Sequence, residues 1–396
     1  MGSYAYRSVI IASLSTLLAL GLFRFAYSAL LPLLIQAAWF SADTAVYLSV
    51  ANLCGYLIGA LAANPLNRRF SHKAIIIAAA LLGSLSLFAC AIAHLPIAWY
   101  VWWRLLAGIT GALLMVLAPA WALRQVPVAA KNRASALVFA GIGLGVLLSA
   151  FLLPYMPLLG LKHTWLIIAA CSLLLSTSII VLFRGLPKPA STATLPTATV
   201  SANTATPASK PAYHSAIFII LAYGCFGMGY LPHALFWVDY LARELAWNLH
   251  AVDTQWLLYG LGAALGNGLG FVLVKQWGWM KANSLCFILY AAAIALPLCS
   301  QNASILALSS FVCGALVPVM VAMSSGCLLV LLGSDAHQRF WGYATAFFSV
   351  CQFGGGLIMS HVLSSSGQYA YLFMLGAALL FGGGLLSYRP YYLQKH

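Results

Sequence analysis

Long apolar runs separated by short polar turns extend along almost the whole chain. Each run contains about 20 residues or more, which is enough for a helix to cross a hydrocarbon core of roughly 30 Å. Twelve helices are predicted on this basis. They cover residues 8–36, 42–65, 74–93, 97–123, 133–157, 163–183, 214–241, 251–275, 281–299, 303–332, 338–363 and 368–388. The pattern predicts an all-α polytopic membrane protein that sits in a lipid bilayer.

One tract interrupts this pattern in the middle of the chain. Residues 186–212 are rich in Thr, Ala, Ser and Pro and contain almost no large apolar side chain. Such a tract cannot pack a core, so we predict a flexible cytoplasmic linker here. The linker divides the chain into two six-helix bundles, at 1–185 and 213–396.

The composition excludes the soluble classes of protein. Of the 396 residues, 63% are hydrophobic and 6% are charged, and the mean hydropathy is +0.96. Ordinary soluble domains are about 25% charged. The first apolar run lacks a small-residue cleavage site after its apolar core, so we expect it to stay as the first helix and not to be removed as a signal peptide.

The basic residues follow the predicted topology. A net charge of +14 would by itself suit a nucleic-acid partner, but the positions of the 19 Lys and Arg argue against one. With the N-terminus inside, fifteen of them lie on the cytoplasmic side, Lys162 and Arg243 lie outside, and Arg24 and Arg104 remain within the membrane. This bias predicts a protein of the bacterial inner membrane with both termini in the cytoplasm.

The sequence contains no recognisable catalytic or cofactor-binding pattern. Its nine Cys are scattered singly, with no C-x-x-C pair. No phosphate-binding loop, H-E-x-x-H pair or G-x-S-x-G elbow occurs. We therefore expect no cofactor, no metal and no enzymatic activity, and we expect the Cys side chains to pack as small apolar groups.

The two halves of the chain repeat at an offset of 203 residues. Gly21-Leu-Phe-Arg-Phe-Ala-Tyr27 aligns with Gly224-Cys-Phe-Gly-Met-Gly-Tyr230, each within the first helix of its half. Two further pairs share the offset: Gly59 with Gly262, and Gly111 with Gly314. Three matches in register indicate a parallel duplication of six helices.

The loop between helices 2 and 3 reads Asn64-Pro-Leu-Asn67-Arg68-Arg69-Phe-Ser-His-Lys73. It resembles the first signature of the major facilitator superfamily, Gly-x-Leu-Ala-Asp-Arg-x-Gly-Arg-Arg, with the basic cluster retained. The resemblance implies a gating loop at Asn67, Arg68, Arg69 and Lys73. Asn67 replaces the Asp that helps to latch the halves in that family, and Asn64 replaces a Gly. A weaker or differently built latch is therefore expected.

Other stretches carry the same resemblance. Arg104-Leu-Leu-Ala-Gly108 in helix 4 is similar to the second signature of the superfamily, and residues 23–32, 52–61 and 139–145 resemble its YbfB/YjiJ-type branch. Helix 5 lacks the Gly-Pro pair of the drug-antiporter signature. The resemblance implies that helices 1, 4, 7 and 10 line a central cavity between two six-helix bundles.

Arg24 is the centre of the predicted site. An Arg at mid-depth costs about 2.5 to 3.5 kcal/mol on insertion scales and usually faces a protein-lined or water-filled interior. Tyr27 and Ser28 share its helix face by their spacing. All five acids are expected at helix ends or in loops, so none is expected to pair with Arg24. One cation with two hydroxyls indicates an anionic substrate; a structural or gating role for Arg24 is the alternative.

Two further helices contribute candidates. On helix 7, Tyr230, His233 and Trp237 share one aromatic and polar face. They are predicted to contact the body of the substrate, and packing between helices is the alternative. Arg104 on helix 4 is a third candidate for substrate contact, with proton coupling or packing as its alternatives.

Three residues are candidates for proton coupling. His233 and His361 are the histidines predicted within the spans, and an imidazole can exchange a proton near neutral pH. A packing role is the alternative for both. Asp239, near the outer end of helix 7, is the third candidate and is expected at the protein surface.

Together these features predict a secondary active transporter that works by alternating access. The expected cargo is a small organic anion, such as a carboxylate metabolite, an amino acid or a carboxylate siderophore, with protons as the candidate coupling ion. An exporter of amphipathic drugs is one alternative. A membrane receptor or scaffold that binds without transport is another. A monomer is expected.

Overall fold

Twelve long helices account for nearly all residues of the computed structural model, which describes residues 2–127, 130–152, 155–186 and 210–395. We number them α1 (Ser3–Gln36), α2 (Ala42–Arg69), α3 (His72–Cys90), α4 (Ile97–Arg124), α5 (Lys131–Leu152), α6 (Leu161–Arg184), α7 (210–244), α8 (249–277), α9 (279–299), α10 (Ala303–Gly333), α11 (Arg339–Ser366) and α12 (Ala370–Lys395). The predicted all-α polytopic fold is confirmed.

Most of the predicted linker lies outside the described residues, which omit 187–209. The helix α7 begins at Lys210, inside the range of 186–212 assigned to the linker. The division into bundles at 1–185 and 213–396 stays a prediction.

Short polar side chains and glycines set the ends of the helices. Ser41 caps α2 and Asn248 caps α8, each by accepting a backbone N–H of the first turn. No loop separates α8 from α9 or α10 from the segment that leads to α11. The chain turns there at Gly278 and Gly333, whose φ angles of 73° and 72° lie in the left-handed region that favours glycine.

The same close helix crossing occurs in both halves. Gly59 of α2 lies against Ala112 of α4, and Gly262 of α8 lies against Ala315 of α10. A Cβ at either glycine would overlap its neighbour, so only glycine permits this approach. Gly262 lies 203 residues after Gly59, and Ala315 lies 203 residues after Ala112. The repeat seen in the sequence is therefore also present in how the helices pack.

Close contacts between the first six helices and the last six occur at three crossings within the described residues. The helix α5 crosses α8 where Gly143 lies against Ala264, and α2 crosses α11 where Gly356 lies against Leu53. The helix α1 contacts α7 through hydrogen bonds described below. Because α2 and α8 are repeat partners, as are α5 and α11, the first two crossings are equivalent and indicate a pseudo-twofold arrangement.

The two helices that carry most of the predicted site depart from α-helical geometry. Leu17–Phe25 in α1 and Pro232–Phe236 in α7 are π-helical. Pro232 also lacks the N–H that a continuous helix requires. Such segments are frequent at functional sites, because the wider turn re-aims side chains and leaves carbonyl groups for other partners.

The two ends of the helix bundle differ in charge. At one end Arg7 donates to the Gly185 carbonyl after α6, and the Arg389 guanidinium of α12 lies 4.6 Å from the centre of the Phe218 ring in α7. We call this end the basic side. Asp43 and Glu244 lie at the other end, which we call the opposite side.

Candidate functional site

Arg24 lies buried in the π-helical part of α1, with 4% of its surface exposed. One turn earlier, Gly21 lies directly against Gly145, so the backbones of α1 and α5 touch at this depth. The guanidinium points away from this contact toward the other half of the protein. Its Nη2 donates to the Tyr230 hydroxyl of α7 at 2.6 Å.

Gln352 of α11 completes the contact with Arg24. With its amide oxygen toward the guanidinium, Gln352 Oε1 accepts from Nη1 at 2.8 Å and Nη2 at 3.2 Å, and it also accepts from the Tyr230 hydroxyl. The reverse orientation would point the amide NH₂ at the guanidinium donors. We call Arg24, Tyr230 and Gln352 the central cluster. It contains one cation, and its three members come from both halves.

The partners of Arg24 are uncharged. Within the described ranges, the ion pair that the structure forms is between Asp239 and Arg243. Arg24 Nε has no hydrogen-bond partner among the described residues. A guanidinium keeps its charge in proteins, so the central cluster holds a buried positive charge satisfied only in part.

Aromatic rings surround the central cluster. The guanidinium carbon of Arg24 lies 5.5 Å from the ring centres of both Phe25 and Tyr230. Tyr56 of α2 and Tyr259 of α8 lie within range of the Arg24 charge. Tyr259 Oη has no hydrogen-bond partner among the described residues. Cation–π contacts and hydroxyl dipoles therefore supplement the two direct hydrogen-bond partners of Arg24.

Sequence reasoning missed Tyr56 and Tyr259, although a signal for them was present. The two residues differ by 203 positions, which is the offset of the repeat. Tyr27 and Tyr230 form a second tyrosine pair at this offset. A search of the repeat for chemically identical pairs would have placed Tyr56 and Tyr259 at equivalent positions on either side of the pseudo-twofold axis.

The structure places Arg104 and Tyr27 apart from the central cluster. Arg104 Nη1 donates to the Phe23 carbonyl at 3.1 Å, and its guanidinium carbon lies 4.2 Å from the centre of the Tyr27 ring. The Tyr27 hydroxyl donates to the Ala45 carbonyl at 2.8 Å. Asn52 Nδ2 also donates to the Phe23 carbonyl, at 3.2 Å. These contacts join α1, α2 and α4 within the first half.

Ser28 lies between the halves, one turn beyond Arg24 toward the opposite side. Its hydroxyl donates to the Ala234 carbonyl in the π-helical part of α7 at 2.9 Å. The contact between α1 and α7 therefore continues from the central cluster to this level.

His233 and Trp237 face the interior of the second half. His233 Nε2 lies 2.8 Å from the Ser309 hydroxyl, and Trp237 Nε1 donates to the Ser310 hydroxyl at 2.9 Å. Ser309 donates its proton to the Ala293 carbonyl, so His233 Nε2 must carry a hydrogen. The two rings stack with centres 4.1 Å apart. Both side chains join α7 to α10 and do not contact the central cluster.

The expected surface position of Asp239 is wrong, because its side chain is fully buried. Arg243, one helical turn later, donates to both carboxylate oxygens, at 2.6 and 2.5 Å. The Tyr369 hydroxyl, in the turn before α12, donates to the same carboxylate. Burial and the Asp239 charge raise the pKa of Tyr369, so its hydroxyl keeps its proton. These two donors stabilise the buried carboxylate.

The remaining predicted residues lie away from the central cluster. The His361 side chain is exposed near the end of α11. Arg68, Arg69 and Lys73 are exposed at the turn between α2 and α3, and Asn67 beside them is half-buried. The Lys73 ammonium lies 5.9 Å from the Phe183 ring centre of α6. These four basic-side residues form the predicted gating loop.

A cavity of about 280 Å³ opens between the halves on the opposite side. Its lining includes Asp43 of α2, Arg243 and Glu244 of α7, and Ser360 and Tyr369 around the end of α11. Arg243, which holds the buried Asp239, is the member of the ion pair that lines this cavity.

The helical bundle, its internal repeat and its apolar spans define a multi-pass membrane transporter of the major facilitator superfamily. Residues 16–388 match the model of the family described as "Uncharacterised MFS-type transporter YbfB", and the chain belongs to this family. The resemblance inferred from the sequence is thus confirmed. A comparison with curated proteins found no match to the chain. Membership implies a small-molecule substrate and a non-enzymatic function.

Proposed function

We propose that this protein is a secondary active transporter that moves a small organic anion by alternating access, with Arg24 as the anion-binding group. The observation that carries the proposal is the composition of the central cluster. A buried guanidinium at the junction of the two halves contacts only neutral side chains among the described residues.

The energetics of the central cluster favour exchange of these contacts for an anion. Removing a guanidinium from water costs several kcal/mol, and each hydrogen bond that it donates to a neutral acceptor recovers about 1.5 to 3 kcal/mol. A carboxylate supplies both charge and a planar pair of acceptors that matches the guanidinium fork. The anion would therefore bind Arg24 more strongly than the amide and hydroxyl do.

The position of the central cluster links anion binding to movement of the halves. Arg24 belongs to the first half, whereas Tyr230 and Gln352 belong to the second. Their contacts must break when the halves separate around the site, and an anion that bridges them would bring the halves back together. A ligand that binds the states with different affinity shifts their populations, which is the requirement for alternating access.

The charge distribution supports an orientation. We assign the basic side and both termini to the cytoplasm, because Lys and Arg accumulate in cytoplasmic loops. The proposed location is the bacterial inner membrane, and the proposed assembly is a monomer. We assign protons as the coupling ion, with the buried Asp239 as the group that would take up a proton when its ion pair with Arg243 opens.

Proteoliposomes of the full-length protein test the proposal. Uptake of a panel of radiolabelled organic anions and cations is measured with and without a proton gradient, in wild type, Arg24→Gln and Arg184→Gln. Arg184 is an exposed arginine at the end of α6 and serves as the matched control. We expect gradient-dependent anion uptake that falls at least about 100-fold in Arg24→Gln and is kept in Arg184→Gln.

Three outcomes would contradict the proposal in different ways. Uptake of cations alone that ignores Arg24→Gln would favour a drug exporter. Binding of an anion without any flux would favour a receptor. Anion uptake that is indifferent to the proton gradient would remove proton coupling and leave the anion assignment intact.

A further inference from the structure

We propose that the cargo is a monocarboxylate with a flat aromatic body and one uncharged hydroxyl group. This inference rests on the proposed function, since it concerns the ligand of the same site. Four properties of the central cluster and its walls carry it: one available cation, no available acid, aromatic walls and unpartnered hydroxyls.

The number of available cations limits the charge of the ligand. Arg24 reaches the junction of the halves, whereas Arg104 is held by the Phe23 carbonyl and covered by the Tyr27 ring. One guanidinium neutralises one carboxylate. A second carboxylate on the ligand would be buried among aromatic rings without a counter-charge, so dicarboxylates and tricarboxylates are disfavoured.

The acids of the chain disfavour an amino group on the ligand. Asp239 and Asp253 are the buried carboxylates among the described residues. Arg243 and Tyr369 already occupy the oxygens of Asp239, and Asp253 lies in the first turns of α8. No acidic side chain of the described residues contacts Arg24, Tyr230 or Gln352. An ammonium at this site would lack a partner and would be repelled by Arg24. A simple carboxylate therefore fits better than an amino acid.

The walls of the site suit a flat ring. Phe25 and Tyr259 meet edge to face with ring centres 6.0 Å apart, and Tyr259 stacks on Trp256. Across the site, Tyr230 stacks on Phe348 with centres 6.1 Å apart. Rings from both halves thus flank the carboxylate-binding group, and aromatic pairs stabilise stacked or edge-on neighbours beyond ordinary apolar contact.

Two tyrosine hydroxyls indicate a polar group on the far end of the ligand. Tyr259 Oη and Tyr290 Oη have no hydrogen-bond partner among the described residues, and both side chains are fully buried. Tyr259 packs on Phe25, the neighbour of Arg24, with ring centres 6.0 Å apart. Tyr290 packs on Phe226, whose ring centre lies 5.0 Å from that of Tyr230. Buried hydroxyls are costly when unpaired. A ligand hydroxyl can donate to one of these oxygens and accept from the other.

Equilibrium binding to the purified full-length protein in lipid nanodiscs tests the inference. The probes are 4-hydroxybenzoate, benzoate, cyclohexanecarboxylate, the dianion terephthalate, the neutral 4-hydroxybenzamide and the zwitterion 4-(aminomethyl)benzoate. We expect 4-hydroxybenzoate to bind about tenfold more tightly than benzoate, in line with one hydrogen bond. Benzoate should in turn bind more tightly than cyclohexanecarboxylate. The dianion, the amide and the zwitterion should each bind at least about 100-fold more weakly than 4-hydroxybenzoate.

Substitutions separate the parts of the inference. Tyr259→Phe should reduce the preference for 4-hydroxybenzoate over benzoate from about tenfold to less than threefold. Tyr155→Phe, which alters an exposed tyrosine near the start of α6, should keep the tenfold preference. A preference that survives in Tyr259→Phe and in Tyr290→Phe would overturn the hydroxyl assignment.

The outcomes also distinguish this inference from the proposed function. Tight binding of terephthalate that is lost in Arg24→Gln would overturn the monocarboxylate assignment and keep the anion transporter. Anion binding that is unchanged in Arg24→Gln would overturn both. Equal binding of benzoate and cyclohexanecarboxylate would overturn the aromatic assignment alone.

Discussion

Two arginines lie buried within the same helical bundle, and their surroundings differ in kind. Arg104 is 2% exposed and donates to the Phe23 carbonyl, with the Tyr27 ring against its face. Arg24 is 4% exposed and contacts the side chains of Tyr230 and Gln352. The partners of Arg104 belong to its own half, whereas those of Arg24 belong to the other.

The difference indicates how a buried charge can serve structure or transport. A backbone carbonyl in a packed helix cannot rotate away, so the contact of Arg104 persists as long as the first half is folded. The hydroxyl and amide that hold Arg24 can rotate, and the helices that carry them can move as a unit. A charge with exchangeable partners at a moving junction is suited to a ligand; one with fixed partners is suited to holding a fold.

The largest expected effect separates the two arginines by stability. Arg104→Ala removes a donor from the Phe23 carbonyl and opens space against Tyr27, so we expect a loss of about 2 to 4 kcal/mol. Arg24→Gln removes a buried charge but leaves a side chain that can still hydrogen-bond across the junction and fill most of the space, so we expect a change within about 1 kcal/mol or a gain. Thermal melting of both variants in the same detergent measures the comparison. An Arg24→Gln variant that melts as early as Arg104→Ala would show that Arg24 also holds the fold.

A smaller effect is expected at a pair of tyrosines related by the repeat. Tyr230→Phe removes one hydrogen bond between the halves that a charged group donates, worth about 1.5 kcal/mol, and should raise the population of separated halves roughly tenfold. Tyr27→Phe removes a hydrogen bond to Ala45 inside one half and should leave that population unchanged. Distance measurements between spin labels on α2 and α11 report the population. Equal shifts in the two variants would contradict the assignment of the central cluster to the junction.

The smallest effect is expected at Ser28. Its hydroxyl joins α1 to α7 through one neutral hydrogen bond to Ala234. Ser28→Ala should speed separation on the opposite side about two- to fivefold, with no measurable change in melting temperature. Ser15→Ala, which removes a bond to Ile11 within α1, is the matched control. Stopped-flow quenching of a fluorophore at that side measures the rate, and identical rates in the two variants would remove Ser28 from the junction.

The helices were predictable because bilayer thickness sets a minimum apolar length. The turns at Gly278 and Gly333 were also predictable. Predicted helix 8 ends at residue 275, three residues before Gly278, and predicted helix 10 ends at residue 332, next to Gly333. The site was less accessible. The distinction between Arg24 and Arg104 depends on which carbonyls and side chains each guanidinium meets, and these come from residues far away in the sequence.

Asp239 shows the same limit more clearly. Its position near a helix end indicated an exposed carboxylate, and only the fold brings Tyr369 to it from 130 residues away. Arg243, four residues after Asp239, was visible in the sequence as a partner on the same helix face. That spacing alone cannot show burial, because exposed pairs with the same spacing are common.

Because Leu17–Phe25 is π-helical, the geometry of α1 depends on the number of residues in this stretch as well as on its apolar composition. A π turn is equivalent to one extra residue in an α-helix, so removing a single residue such as Leu20 could restore regular geometry there. The helix would still span the bilayer. The residues before and after the stretch would keep their helix faces, but the wide turn that presents the Phe23 carbonyl to Arg104 and Asn52 would be lost. The extra residue in this helix therefore serves the contacts between helices and is not needed to cross the membrane.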